Sequence, residues 1–83
     1  MSAGKSIVTL QLPSNSVGQI VDGLGVLIEQ WDHTAEYLRN GTFDEAIGVV
    51  RECSGPEEAV RISEFYREIR NEITGQLAKQ RRT

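Results

Sequence analysis

Apolar and polar residues alternate along a short stretch near the start of the chain. Val8, Leu10 and Leu12 are separated by single polar residues, so an extended backbone would carry the apolar side chains on one face. A proline follows at once, and proline cannot continue the hydrogen bonding of a strand. The pattern therefore predicts one β-strand over residues 6–12, preceded by a flexible arm over residues 1–5.

Two longer stretches carry apolar residues at steps of three and four, the spacing of an amphipathic helix with one face on a core. The first predicts a helix over residues 16–40, ended by an Asn-Gly pair that suits a left-handed C-cap. The second predicts a helix over residues 56–79, because Pro56 and the two glutamates after it suit a first helical turn. Residues 80–83 are expected to form a tail.

The stretch between these helices allows two interpretations. Thr42 and Glu45 have the spacing of a capping box, which favours a short helix over residues 43–52. The β-branched residues within residues 46–50 also suit a strand, and Gly48 weakens a helix. We favour the helix. The predicted fold is then one mainly α domain: an antiparallel hairpin of two long helices joined by a short one, with a single N-terminal strand.

A lone strand has two backbone edges without hydrogen-bond partners, and a strand without neighbours is not stable. A second copy of the chain offers the same segment, and a two-fold axis would pair the two segments antiparallel. We therefore predict a homodimer whose contacts include Val8, Leu10 and Leu12. The alternatives are pairing with residues 46–50 of the same chain, or with a strand edge of a different protein.

Two glycines add to the predicted contacts. Gly18 and Gly25 stand seven residues apart, on one flank of the first predicted helix. Each costs a helix interior up to about 1 kcal/mol relative to alanine. Close approach of a neighbouring helix would explain them and makes both glycines candidates for the dimer or partner interface. A bent or frayed first half of the helix is the other interpretation.

Composition and charge limit the classes of protein to which the chain could belong. The 83 residues are 39% hydrophobic and 25% charged, as in ordinary soluble domains. The net charge of -3 argues against a dedicated nucleic-acid binder, which usually carries a basic face. We find no apolar run that could span a bilayer and no signal-type start, so we expect a cytoplasmic protein without membrane contact. The single cysteine, Cys53, excludes an internal disulfide and is expected to be a small core residue.

Candidate chemistry is sparse. Glu29, His33 and Glu36 share one side of the first predicted helix and are weak candidates for metal ligands, although a solvated polar face is the favoured interpretation. We predict no metal and no cofactor. No nucleophile–base pair or phosphate-binding loop indicates an enzyme. The expected function is a non-catalytic interaction or regulatory module that acts as a homodimer, with a further protein as a second kind of partner.

The sequence VTLQLP, residues 8–13, followed by a predicted helix, resembles the opening of ribbon-helix-helix transcription factors and antitoxins. The sequence NGTFDEAIGVV, residues 40–50, also resembles the turn and second-helix start of that family. The resemblance implies a dimer in which two such strands pair and place their outward polar residues in the DNA major groove. By that resemblance Thr9 and Gln11 would read bases, and the alternative function is a DNA-binding regulator or antitoxin.

Overall fold

The structure, a computed structural model, describes residues 6–81, and within them the chain forms two α-helices. Helix α1 spans Ser14–Asn40 and helix α2 spans Pro56–Arg81. The two helices pack side by side as an antiparallel hairpin, because Asp32 of α1 is bonded to Arg67 of α2 while residues near the start of α1 meet residues near the end of α2. The prediction of a mainly helical fold is confirmed.

The ends of α1 follow from local backbone chemistry. Pro13 is extended, with φ -56° and ψ 147°, and its carbonyl accepts the N–H of Val17 at 3.1 Å, so the helix begins at Ser14, two residues before the predicted start. At the other end Gly41 has a φ of 74° and donates its N–H to the carbonyl of Tyr37 at 2.8 Å. Glycine takes this left-handed conformation without steric cost, which stops the helix there.

The predicted strand over residues 6–12 is not formed in the single chain. Residues 6–13 have no regular secondary structure, and residues 6–12 make no backbone hydrogen bond with any described residue. The alternative of pairing with residues 46–50 is wrong, because those residues lie over the second half of α1 while residues 6–12 lie beside its beginning. A strand needs a neighbour, and no other part of residues 6–81 pairs with this segment. The predicted arm, residues 1–5, lies outside the described residues.

The predicted short helix over residues 43–52 is also wrong. The carboxylate of Asp44 accepts the N–H of Ala46 at 2.9 Å, and its carbonyl accepts the N–H groups of Ile47 and Gly48 at 3.1 and 2.9 Å. This closes a single turn. Gly48 then takes a φ of 81°, which does not continue a right-handed helix. The connector between the helices, residues 41–55, is therefore a loop with one turn.

The connector folds back over α1 and is fastened to it by polar contacts. The hydroxyl of Thr34, which is 0% exposed, accepts the N–H of Arg51 at 3.0 Å and donates to the carbonyl of Gln30 at 2.8 Å. The guanidinium of Arg51 donates to Gln30 Oε1 at 2.6 and 3.2 Å and lies 5.9 Å from the centre of the Trp31 ring. The closed end of the hairpin is thus covered by its own loop.

The hairpin is one layer of helices and buries little. Its radius of gyration is 15.5 Å, whereas a compact chain of this length has about 12 Å. The chain exposes 6536 Å², whereas a compact monomer of its mass exposes about 4,900 Å². Among the described residues the buried apolar side chains are those of Ile28, Ala35 and Ala59. Domains usually pack two layers around a core, so a single layer leaves a face uncovered.

Candidate interaction surface

The two broad faces of the hairpin differ in chemistry. One face is polar: the carboxylate of Asp32 accepts hydrogen bonds from the hydroxyl of Ser63 and from the guanidinium of Arg67, the latter at 2.9 Å. Arg67 also donates to the Ser63 hydroxyl at 3.3 Å. A groove of about 510 Å³ runs beside this cluster and is lined by further charged residues, including Glu29 and Arg70. We call this side the polar face.

The other side of the hairpin carries large apolar side chains, and we call it the apolar face. Its residues follow one another at steps of three, four or seven, which keeps them on one flank of each helix. Exposed fractions are 44% for Ile20, 41% for Leu38 and 59% for Phe65, and the remaining side chains are half-buried. The apolar face comprises Ile20, Leu24, Leu27, Trp31 and Leu38 of α1 and Ile62, Phe65, Ile69 and Ile73 of α2.

The N-terminal segment, residues 6–12, extends this apolar surface at the open end of the hairpin. Val8, Leu10 and Leu12 line a groove of about 500 Å³ together with side chains from both helices, Ile20 and Ile73 among them. The three side chains nevertheless remain 77%, 74% and 48% exposed. Contiguous apolar surface that stays open to water is typical of an interaction site. The structure therefore brings the three predicted contact residues together with the apolar face.

The two predicted contact glycines lie elsewhere. Gly18, Gly25 and Asp32 are spaced by seven residues, which puts the glycines on the flank of α1 that leads to the polar face. A Cβ atom at Gly25 would come within 3.9 Å of Arg70 Nη1, and one at Gly18 would meet nothing within 4 Å. Neither glycine is needed for the packing of α1 on α2. Contact with another molecule at these positions stays a prediction, separate from the apolar face.

Replacing Gly18 by alanine is expected to stabilise the chain by about 0.5–1 kcal/mol, because alanine loses less backbone freedom in a helix and its methyl group meets open space. Urea unfolding at one fixed chain concentration measures the change. The control is Gly41→Ala, which is expected to destabilise, since Gly41 has a φ of 74°. A loss of stability in Gly18→Ala would show instead that a neighbouring molecule approaches α1 closely at this point.

The three candidate metal ligands do not form a ligand set. His33 is 5% exposed and its Nε2 accepts the N–H of Asp44 at 3.4 Å, while Glu29 and Glu36 line the polar groove beside it. Within residues 6–81, no three His, Cys, Asp or Glu side chains are placed to hold a metal ion. The expectation of a solvated histidine is wrong, because the connector covers His33, with the Phe43 ring centre 5.3 Å from its ring centre.

The residues implied by the ribbon-helix-helix resemblance lie in the N-terminal segment. Thr9 and Gln11 are both exposed, and Gln11 lines the same groove as the apolar side chains of the segment. Cys53 is half-buried at the end of the connector, where its Sγ lies 3.4 Å from the carbonyl oxygen of Gly55.

Sequence reasoning missed the cluster of Asp32, Ser63 and Arg67 that ties the two helices together. Ser63 is 1% exposed, and its hydroxyl is satisfied by the other two side chains. A signal was present, because Ser63 lies four residues after Ala59 and three before Tyr66, on the core side of α2, and a buried hydroxyl needs a hydrogen-bond partner. The identity of that partner on α1 depends on the register of the two helices.

Comparison with protein-family models, curated proteins and solved structures finds no match to the chain. Over residues 6–81, neither helix has both the length and the apolar content that crossing a membrane requires.

Proposed function

We propose that the chain is a non-catalytic interaction module that acts as a homodimer, with the apolar face as the main contact between the two copies. The observation that carries the proposal is the exposure of large apolar side chains along one side of a single helical layer. Ile20, Leu38 and Phe65 are each more than two-fifths exposed, and the N-terminal segment adds more apolar surface beside them.

The exposed area of the chain is consistent with contact by a second copy. The chain exposes 6536 Å², which exceeds the value for a compact monomer by about 1,600 Å². A standard protein interface buries about 800 Å² on each partner, and covering that much surface would bring the chain closer to the value of a compact monomer.

A second copy also suits the surface in shape. Two hairpins that meet through their apolar faces form two layers of two helices, which is the usual way for such helices to enclose a core. A two-fold axis makes the same patch serve both copies. In this dimer the N-terminal segments lie beside the contact and pair across the axis, the arrangement that the alternating sequence favours.

Molar mass in solution tests the proposal. Light scattering and sedimentation equilibrium over a hundredfold range of concentration are expected to give the mass of two 9.2 kDa chains, with dissociation on dilution. A chain that lacks residues 1–12 is expected to dimerise more weakly, because it retains only the helical part of the contact. A chain that stays helical and monomeric at every concentration would contradict the homodimer.

A further inference from the structure

The groove at the open end of the hairpin has an unusual composition. Ten of the described residues line it; seven of these are apolar, three are glutamines and none is charged. Charged residues make up 25% of the whole chain, so a groove whose ten described lining residues include none differs from the average surface. Such a lining suits an uncharged occupant that brings apolar side chains and backbone amides.

The N-terminal segment has the same character as the groove it lines. The sequence SIVTLQLPSNS, residues 6–16, contains no charged residue. Ile7 is 93% exposed and Val8 is 77% exposed, and the backbone of residues 6–12 forms no hydrogen bond with any described residue. The segment therefore has both apolar side chains and backbone groups that a second extended segment would satisfy.

We propose that the groove of each copy receives residues 6–12 of the other copy, and that the two segments pair as an antiparallel β-ribbon across the dimer axis. This inference rests on the proposed homodimer. It adds which segment occupies the groove and how the two segments are aligned. The occupant is the second copy because its segment is uncharged, as the groove is, and lies beside the same apolar face. The ribbon ends at Pro13, which has no N–H to continue it.

The pattern of side chains sets the register. A two-fold axis pairs residue i with residue j and also j with i. Shifting a strand by one residue would turn its apolar side chains to the other face, so apolar positions must oppose apolar positions. The register that uses all three apolar positions of the alternating pattern on both strands is centred on Leu10. It places Leu10 opposite the partner's Leu10 and Val8 opposite the partner's Leu12.

Disulfide trapping tests this register. In a Cys53→Ser background, Leu10→Cys is expected to form a disulfide between copies, because opposed residues of an antiparallel ribbon have Cα atoms about 4.5–5.5 Å apart, within disulfide range. Thr9→Cys is expected to react at least about tenfold more slowly, since the two copies of residue 9 would be diagonal neighbours about 7–8 Å apart. A mixture of Val8→Cys and Leu12→Cys chains is expected to form the mixed disulfide.

The control for random collision is Val26→Cys, because Val26 is 57% exposed and lies on another side of α1. Each variant is first shown to be helical and to have the mass of the unmodified protein. Equal rates at residues 9, 10 and 26 in a dimeric sample would overturn the exchanged ribbon and leave the homodimer standing. A monomeric mass for the intact chain would overturn both.

Discussion

Replacing Phe65 by glutamate is expected to dissociate the dimer while the hairpin stays folded. Phe65 is 59% exposed in the single chain, so the new carboxylate would meet water there and cost little stability. In the proposed dimer the same position is covered by the second copy, and a buried carboxylate without a partner is costly. We expect the dissociation constant to rise at least about 30-fold, which corresponds to about 2 kcal/mol.

Val26→Glu is the matched control for this change. Val26 is 57% exposed, nearly as much as Phe65, but it shares a flank of α1 with His33 and lies away from the apolar face. Its substitution is expected to leave the dissociation constant unchanged. Sedimentation equilibrium gives the two constants, and circular dichroism checks that both variants remain helical. If the two variants weaken the dimer equally, the contact is not through the apolar face.

The two long helices could be predicted because their signals are local and repeated. Over the 27 residues of α1, apolar positions return at steps of three and four, so a single unsuitable residue does not erase the pattern. Gly41 marks the end of α1 through a conformation that depends on that residue alone. The stripes also predicted a hairpin, since two amphipathic helices of similar length bury their apolar sides against each other.

The predicted N-terminal strand and the predicted connecting helix are absent from residues 6–81 for different reasons. Alternation along residues 6–12 describes how the segment would pair, but no segment of the described chain pairs with it. In the connector, Thr42 and Glu45 have the spacing of a capping box. The turn is instead closed by hydrogen bonds to Asp44, and it ends at Gly48, which has a positive φ. The sequence allows several local hydrogen-bonding patterns within these few residues, and it does not indicate which of them forms.

The error on His33 has a third cause. Helical periodicity predicted that this residue faces water, because it lies outside the apolar stripe of α1. The connector instead crosses that side of the helix, with the rings of His33 and Tyr37 5.3 and 6.2 Å from the Phe43 ring. Periodicity identifies the side that meets the other helix, and it carries no information about a loop that returns over the opposite side.

The connector and the N-terminal segment lie over different parts of the hairpin. The connector protects the closed end, where Arg51 lies over Trp31, and the N-terminal segment lies at the open end beside Ile20. The apolar face also includes Phe65, which is 59% exposed, and Leu38, which is 41% exposed and lies near the end of α1. A second copy would therefore meet a surface that borders both of these segments, and the stability of their attachment matters for the proposed dimer.

The connector's attachment to α1 predicts the second large effect: Thr34→Val should destabilise the fold by about 1–3 kcal/mol, because valine keeps the shape of threonine but cannot accept a hydrogen bond. Thr34 is 0% exposed, and its hydroxyl is the acceptor for the Arg51 N–H at 3.0 Å. Without that acceptor, a partly buried amide loses its partner. The connector should then open locally before the helices separate.

Urea unfolding at one fixed chain concentration measures the loss of stability, and hydrogen exchange at the amide of Arg51 measures the local opening. The control is Thr34→Ser, which keeps the hydroxyl and loses one methyl group, so it is expected to cost about 0.8 kcal/mol and to leave that amide protected. Unchanged stability and exchange in Thr34→Val would mean that the connector is held mainly by Arg51 on Gln30 and Trp31. The reverse order, with serine more harmful than valine, would assign the role of Thr34 to packing of its methyl group.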